Sequence, residues 1–189
     1  MILASSSPRR SQLLRQVGFK FKVEVAEFAE IIKPNETAQE AVMRFARTKA
    51  ELVANKNPNS VVLAADTLGE FQGQILQKPK DLSDAFTMLK NMAGKSHKIF
   101  TAFTIIHKAK NLEVSKLAEA KVIMREFNEL RIKNYLQTGE SLDKAGAYGI
   151  QGFGAVLIKK LNGDFYTVMG LPLFEVITEL EKFGVLPYS

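Results

Sequence analysis

Short apolar runs alternate along this chain with stretches whose apolar residues recur every three or four positions, the pattern of strands interleaved with helices. Residues 61–65, Val-Val-Leu-Ala-Ala, form an unbroken run that predicts a strand buried on both faces, with Asp66 and Thr67 at its end. Residues 2–4, 19–25 and 99–106 predict further strands, and 112–124 alternate loosely enough to pair antiparallel. A first helix is expected with Ser7 as cap, Pro8 in its first position and Gly18 at its end. Thr37-Ala38-Gln39-Glu40 is a capping box opening a helix to about Asn55, with an apolar stripe of Val42, Phe45, Ala46, Ala50 and Val53. Three more helices are expected from Asp81 to Met92, from Asn128 to Thr138 and from Leu173 to Gly184. Hairpins are predicted at Gln72-Gly73, within 68–76, and at Asn162-Gly163, between 155–161 and 165–169.

The fold class that follows is α/β, a mixed twisted sheet with flanking helices. At 189 residues and 46% hydrophobic content the chain supports one core, expected as a single domain (1–189) with two lobes. The net charge of +6 favours anionic partners, yet the 26 lysines and arginines are scattered, so no nucleic-acid partner is expected. Without cysteine there is no disulfide or thiolate chemistry. No apolar run approaches membrane-spanning length, and Met1 leads into a strand without a signal peptide. The expectation is a cytoplasmic protein with no membrane partner.

Candidate chemistry centres on Asp66. Alone it reads as a turn residue after a strand. The Gln72-Gly73 hairpin, however, is expected to return Lys78-Pro79-Lys80-Asp81 beside it, and a carboxylate flanked by lysines suits a metal, a water and a phosphate. Lys49 falls on the apolar stripe of its helix, either as a snorkelling stem or as an ammonium directed toward Asp66. Ser5-Ser6-Ser7-Pro8-Arg9-Arg10 places hydroxyls and guanidiniums at a helix N-terminus, read equally as an anion site or as a capped surface helix. Residues 143–154 hold four glycines around Tyr148, Ile150 and Gln151, whose amide can both donate to and accept from a base edge. His97 lacks a triad or zinc pattern around it.

These segments, with Ala65-Asp66-Thr67 and Gly170-Leu171-Pro172-Leu173, resemble the motifs of the Maf family of nucleotide pyrophosphatases over essentially the whole chain. The resemblance implies a fold similar to the inosine triphosphate pyrophosphatases, with two lobes around a central cleft, and a homodimer. It implies hydrolysis of a nucleoside triphosphate to monophosphate and pyrophosphate with a divalent cation, Mg2+ or Mn2+. Asp66 matches the family's proton acceptor, with Lys49 and Lys78 as its catalytic partners and Glu30 with Asp66 as metal ligands. Ser5, Arg9, Arg10, Thr67, Asp81 and Gln151 match substrate-binding positions.

The Tyr148-Gly149-Ile150-Gln151-Gly152 form resembles the dTTP and UTP subgroup; a sister subgroup acts on 7-methyl-GTP. The sequence departs from the family at Gln77 and Ala102, where glycine is common. A nucleotide-binding regulator of septum formation is the alternative from another class, and turnover separates the two.

Overall fold

The apolar run at 61–65 opens a ten-residue strand, β3 (Val62–Phe71), in a computed structural model that describes residues 1–188. The other strands are β1 (Ile2–Leu3), β2 (Lys22–Val23), β4 (Gln74–Leu76), β5 (Ser96–His107), β6 (Leu112–Met124) and β7 (Ile158–Asn162). Seven strands form one mixed sheet in the order β2-β1-β3-β5-β6-β7, with β4 paired to β3. β1 runs parallel to both neighbours, Leu3 opposite Val23 and Leu63, whereas β3–β4 and β6–β7 are antiparallel. Burial of β3 from Val62 to Asp66 fits a parallel strand covered on both faces. No helix among the described residues is long and apolar enough to cross a membrane.

The chain divides into two compact units. The first comprises Met1–Thr67, Thr101–Ala118 and the described residues from Tyr166 onward. Its helices are α1 (Pro8–Gln16), α2 (Ala38–Lys56) and α6 (Leu173–Lys182). The Thr37–Glu40 box is complete: Thr37 accepts the Glu40 N–H, and the Glu40 carboxylate accepts the Thr37 N–H. From that start, Ala50, Val53 and Ala54 of α2 pack on Ile2, Val62, Ala64 and Ile106 of the strands and on Ala4 just after β1. The alanines let the helix lie close to the sheet, and each buried valine or isoleucine stabilises the unit by about 1.5–3 kcal/mol.

The second unit, Leu68–Phe100 and Glu119–Phe165, contains α3 (Leu82–Met92) and α4 (Glu129–Leu136). Both helices are capped by their own side chains, Asp81 accepting from Asp84 N–H at 2.8 Å and Asn128 from Arg131 N–H at 3.1 Å. The β3–β4 hairpin turns at Gln72 (φ 53°) and Gly73 (φ 77°), both left-handed as a type I′ turn requires.

Four expectations need correction. β3 does not stop at Ala65; it runs on to Phe71, its last residues Gly69–Phe71 paired with β4, so Asp66 lies within the strand and not at its end. Asn162-Gly163 is not a hairpin turn. β7 already pairs with β6, residues 155–157 belong to a short 3-10 turn, and the chain after Gly163 (φ 121°) coils into α5 (Phe165–Met169). The strand expected at 19–25 shrinks to the exposed pair Lys22–Val23 at the sheet edge. Ser7 occupies the cap position of α1, yet its side chain makes no capping bond; its N–H donates to Ser5 Oγ at 3.2 Å instead.

Candidate active site

Within the first unit, three charged groups meet. The Asp66 side chain, 8% exposed, accepts from Lys49 Nζ at 2.7 Å through Oδ2 and from the Thr67 N–H at 2.6 Å through Oδ1. Lys49 arrives from the buried stripe of α2, its side chain only 12% exposed, and its ammonium also donates to Glu30 Oε1. Of the two readings of Lys49, the geometry selects the ammonium directed at Asp66. Glu30 stands on the loop between β2 and α2, which is clasped nearby: Arg44 donates to both Glu36 oxygens at 2.6 Å and to the Ile31 carbonyl at 2.9 Å. That bidentate bond pulls the Glu36 carboxyl down to about 2.

Arg10 is the hub of a second cluster in this unit. Its guanidinium is nearly buried and donates from Nε to the Gly170 carbonyl (2.8 Å), from Nη1 to Ser5 Oγ (3.1 Å) and from Nη2 to Thr67 Oγ1 (3.1 Å). Burial pushes its pKa down from the ordinary value, and the Asp66 charge pushes it back up. Thr101 Oγ1 donates to the Thr167 carbonyl at 2.7 Å, so in its 2.9 Å bond with Thr67 it must accept. The hydroxyl protons therefore run one way, from Thr67 to Thr101 to the Thr167 carbonyl. Arg10 and Thr101 together fix the rotamer of Thr67, the residue next to Asp66. Arg9, by contrast, is exposed and without an ion-pair partner among the described residues.

The remaining expected site residues lie in the second unit. Lys78 is exposed, and its ammonium has no acceptor among the described residues. Asp81 spends one oxygen capping α3. The Gln77 carbonyl accepts the Gly146 N–H at 3.0 Å, so the segment before Lys78 is tied to the glycine-dense loop by its backbone. Gln151 is exposed in extended backbone before a 3-10 turn, its amide making no capping bond. His97 is 3% exposed; Nε2 lies 2.7 Å from the Tyr148 hydroxyl, Nδ1 has no partner, and burial lowers its pKa to about 4. It is thus a neutral core histidine.

Glu30 and Asp66 offer hard oxygen donors around one cationic position, the donor type that Mg2+ and Mn2+ accept. No group of three or more His, Cys, Asp or Glu side chains suited to a metal occurs among the described residues. The residues present therefore fit an ion bound through one or two carboxylates together with substrate phosphates, and not a cage built by protein alone.

Residues that sequence reasoning passed over are Thr101, Arg44, Glu36 and Glu140. Thr101 had a signal, a hydroxyl interrupting an apolar strand; Glu140 had none, since the backbone N–H groups it holds lie 13 and 14 residues onward.

The family profile described as Maf-like protein matches residues 1–183. Relatives named dTTP/UTP pyrophosphatase include one from Shouchella clausii, 44% identical, the match covering 98% of this chain and 96% of the relative. Another, from Desulfotalea psychrophila, is 42% identical over 98% of this chain and 95% of its own length. A third, from Fusobacterium nucleatum, is 41% identical over 97% and 95%. With a profile match of this extent and relatives of this similarity along nearly the whole sequence, the chain belongs to the Maf-like protein family.

Proposed function

We propose that this protein hydrolyses nucleoside triphosphates to the monophosphate and pyrophosphate, with dTTP and UTP preferred. Support comes from the three relatives, each named dTTP/UTP pyrophosphatase at 41–44% identity. The single structural observation that carries the chemistry is Asp66, a buried carboxylate held by Lys49 on one oxygen and the Thr67 N–H on the other. An ionised carboxylate has about four acceptor sites, so two remain for a water proton. Asp66 takes that proton as the water attacks phosphorus and pyrophosphate departs, a balanced step: triphosphate plus water gives monophosphate, pyrophosphate and one proton.

Lys49 fixes the direction of the Asp66 carboxylate. Arg10, itself bonded to Ser5, holds the neighbouring Thr67 in place together with Thr101, a positioning role. Arg9 and Lys78, the exposed cations, offset triphosphate charge. A divalent cation held by Glu30 and Asp66 would supply further charge neutralisation at the phosphates. Gln151 reads the base: its amide offers one donor and one acceptor to the carbonyl and imide N–H of thymine or uracil.

Pyrophosphate release by the purified protein, measured for dTTP, UTP, the other standard triphosphates and 7-methyl-GTP with Mg2+ and then Mn2+, tests this reading. The expected result is the highest kcat/KM for dTTP and UTP. Preference for 7-methyl-GTP would place the protein with the sister subgroup, and bound but intact nucleotide would make it a regulator.

A further inference from the structure

The glycine-dense loop is wrapped around one carboxylate. Glu140 Oε2 accepts the Phe153 N–H at 2.8 Å, and Oε1 accepts the Gly154 N–H at 3.2 Å and the Tyr135 hydroxyl at 3.3 Å. Successive backbone N–H groups turned onto one anion form a nest, and bonds to a charged acceptor are the stronger kind. The loop reaches this carboxylate only because side chains are missing. A Cβ on Gly152 would lie 2.6 Å from Glu140 Oε2, and one on Gly154 would lie 3.1 Å from Oε1 and 2.2 Å from the Gly149 carbonyl oxygen. The glycines thus allow close approach to Glu140, and the loop is fixed where its composition alone suggests freedom. Glu140 is itself anchored, since Lys144 Nζ donates to its carbonyl at 2.8 Å and to Asp143 Oδ1 at 2.7 Å.

Gln151 stands two residues before the first of these held N–H groups, with its amide free of any capping bond. We infer that Glu140 is a positioning residue for base selection, its carboxylate holding the loop in the shape that presents the Gln151 amide to the pyrimidine. The inference rests on the reading that Gln151 contacts the base. A loop staple without that role would move stability and leave base choice alone.

Glu140→Gln keeps the size of the side chain but turns an N–H2 toward a backbone N–H, removing one of the two loop bonds. The expected result is a fall of about tenfold in the ratio of dTTP to GTP kcat/KM, carried mainly by KM for dTTP. Gln151→Ala should lower the ratio as far, and the double variant no further than Gln151→Ala alone. A lowered ratio in Gln151→Ala with a parental ratio in folded Glu140→Gln would overturn the role of Glu140 while leaving the base reading intact. A parental ratio in Gln151→Ala would overturn the base reading, and this inference with it. Should Glu140→Gln not fold, Glu140→Asp, which keeps the carboxylate but shortens its reach to the Phe153 and Gly154 N–H groups, takes its place. A lowered ratio of dTTP to GTP kcat/KM in that variant supports the inference, and a parental ratio overturns it.

Discussion

Lys49 Nζ lies 2.7 Å from Asp66 Oδ2, with both side chains nearly buried. Removing one member of such a pair leaves the other charged and desolvated, which costs about 3–5 kcal/mol. Lys49→Met should therefore lower both turnover and stability. The double variant Lys49→Met/Asp66→Asn, which removes the stranded charge, should regain most of the stability and none of the turnover. Denaturant unfolding of the two single variants and the double variant checks this; strictly additive losses would show that the pair is not coupled.

Glu30 shares the same ammonium but is 48% exposed, so its pairing is worth little to the fold. Glu30→Gln should change stability by less than about 0.5 kcal/mol. If Glu30 is a cation ligand, the same variant should need about ten times more Mg2+ for half-maximal turnover. A magnesium titration at saturating dTTP reads this, and an unchanged midpoint removes Glu30 from the ligand set.

His97 gives stability a pH dependence. Its folded pKa, about 4, lies below the ordinary 6.5 because burial opposes charging. Between those values the unfolded chain binds the extra proton, so this contribution is complete above pH 6.5 and is lost as pH falls toward 4. The full loss is about 3 kcal/mol. Unfolding free energies measured from pH 8 to pH 4 should show this slope in the parent and lack it in His97→Gln.

Much of the architecture was legible because its causes are local. The Thr37–Glu40 box, the Gln72-Gly73 turn and the Asp81 and Asn128 caps all act within four residues, and each forms as its spacing predicts. Lys49 was legible as an anomaly, a cation on a buried stripe. What failed depended on distant partners. Asn162-Gly163 carries a hairpin signal, but β7 takes β6 as its partner, roughly forty residues earlier in register from Lys121 to Asn162. The far end of β3, Gly69–Phe71, is set by its pairing with β4, and Arg10 reaches Gly170, 160 residues away, a contact no periodicity encodes.

Gln151→Glu tests base choice separately from the chemistry. An ionised glutamate offers acceptors only and cannot donate to a pyrimidine carbonyl. Its dTTP kcat/KM should fall by more than about 1 kcal/mol, several-fold or more, relative to that for GTP. An unchanged ratio of pyrimidine to purine turnover would remove Gln151 from base recognition.

The most direct test of the account is the product balance from dTTP by the parent and by Asp66→Asn, followed as monophosphate and pyrophosphate together. Equal amounts of dTMP and pyrophosphate are expected from the parent, and a rate lower by about a hundredfold or more from a folded Asp66→Asn protein. Release of inorganic phosphate with dTDP, or parental turnover in folded Asp66→Asn, would contradict it.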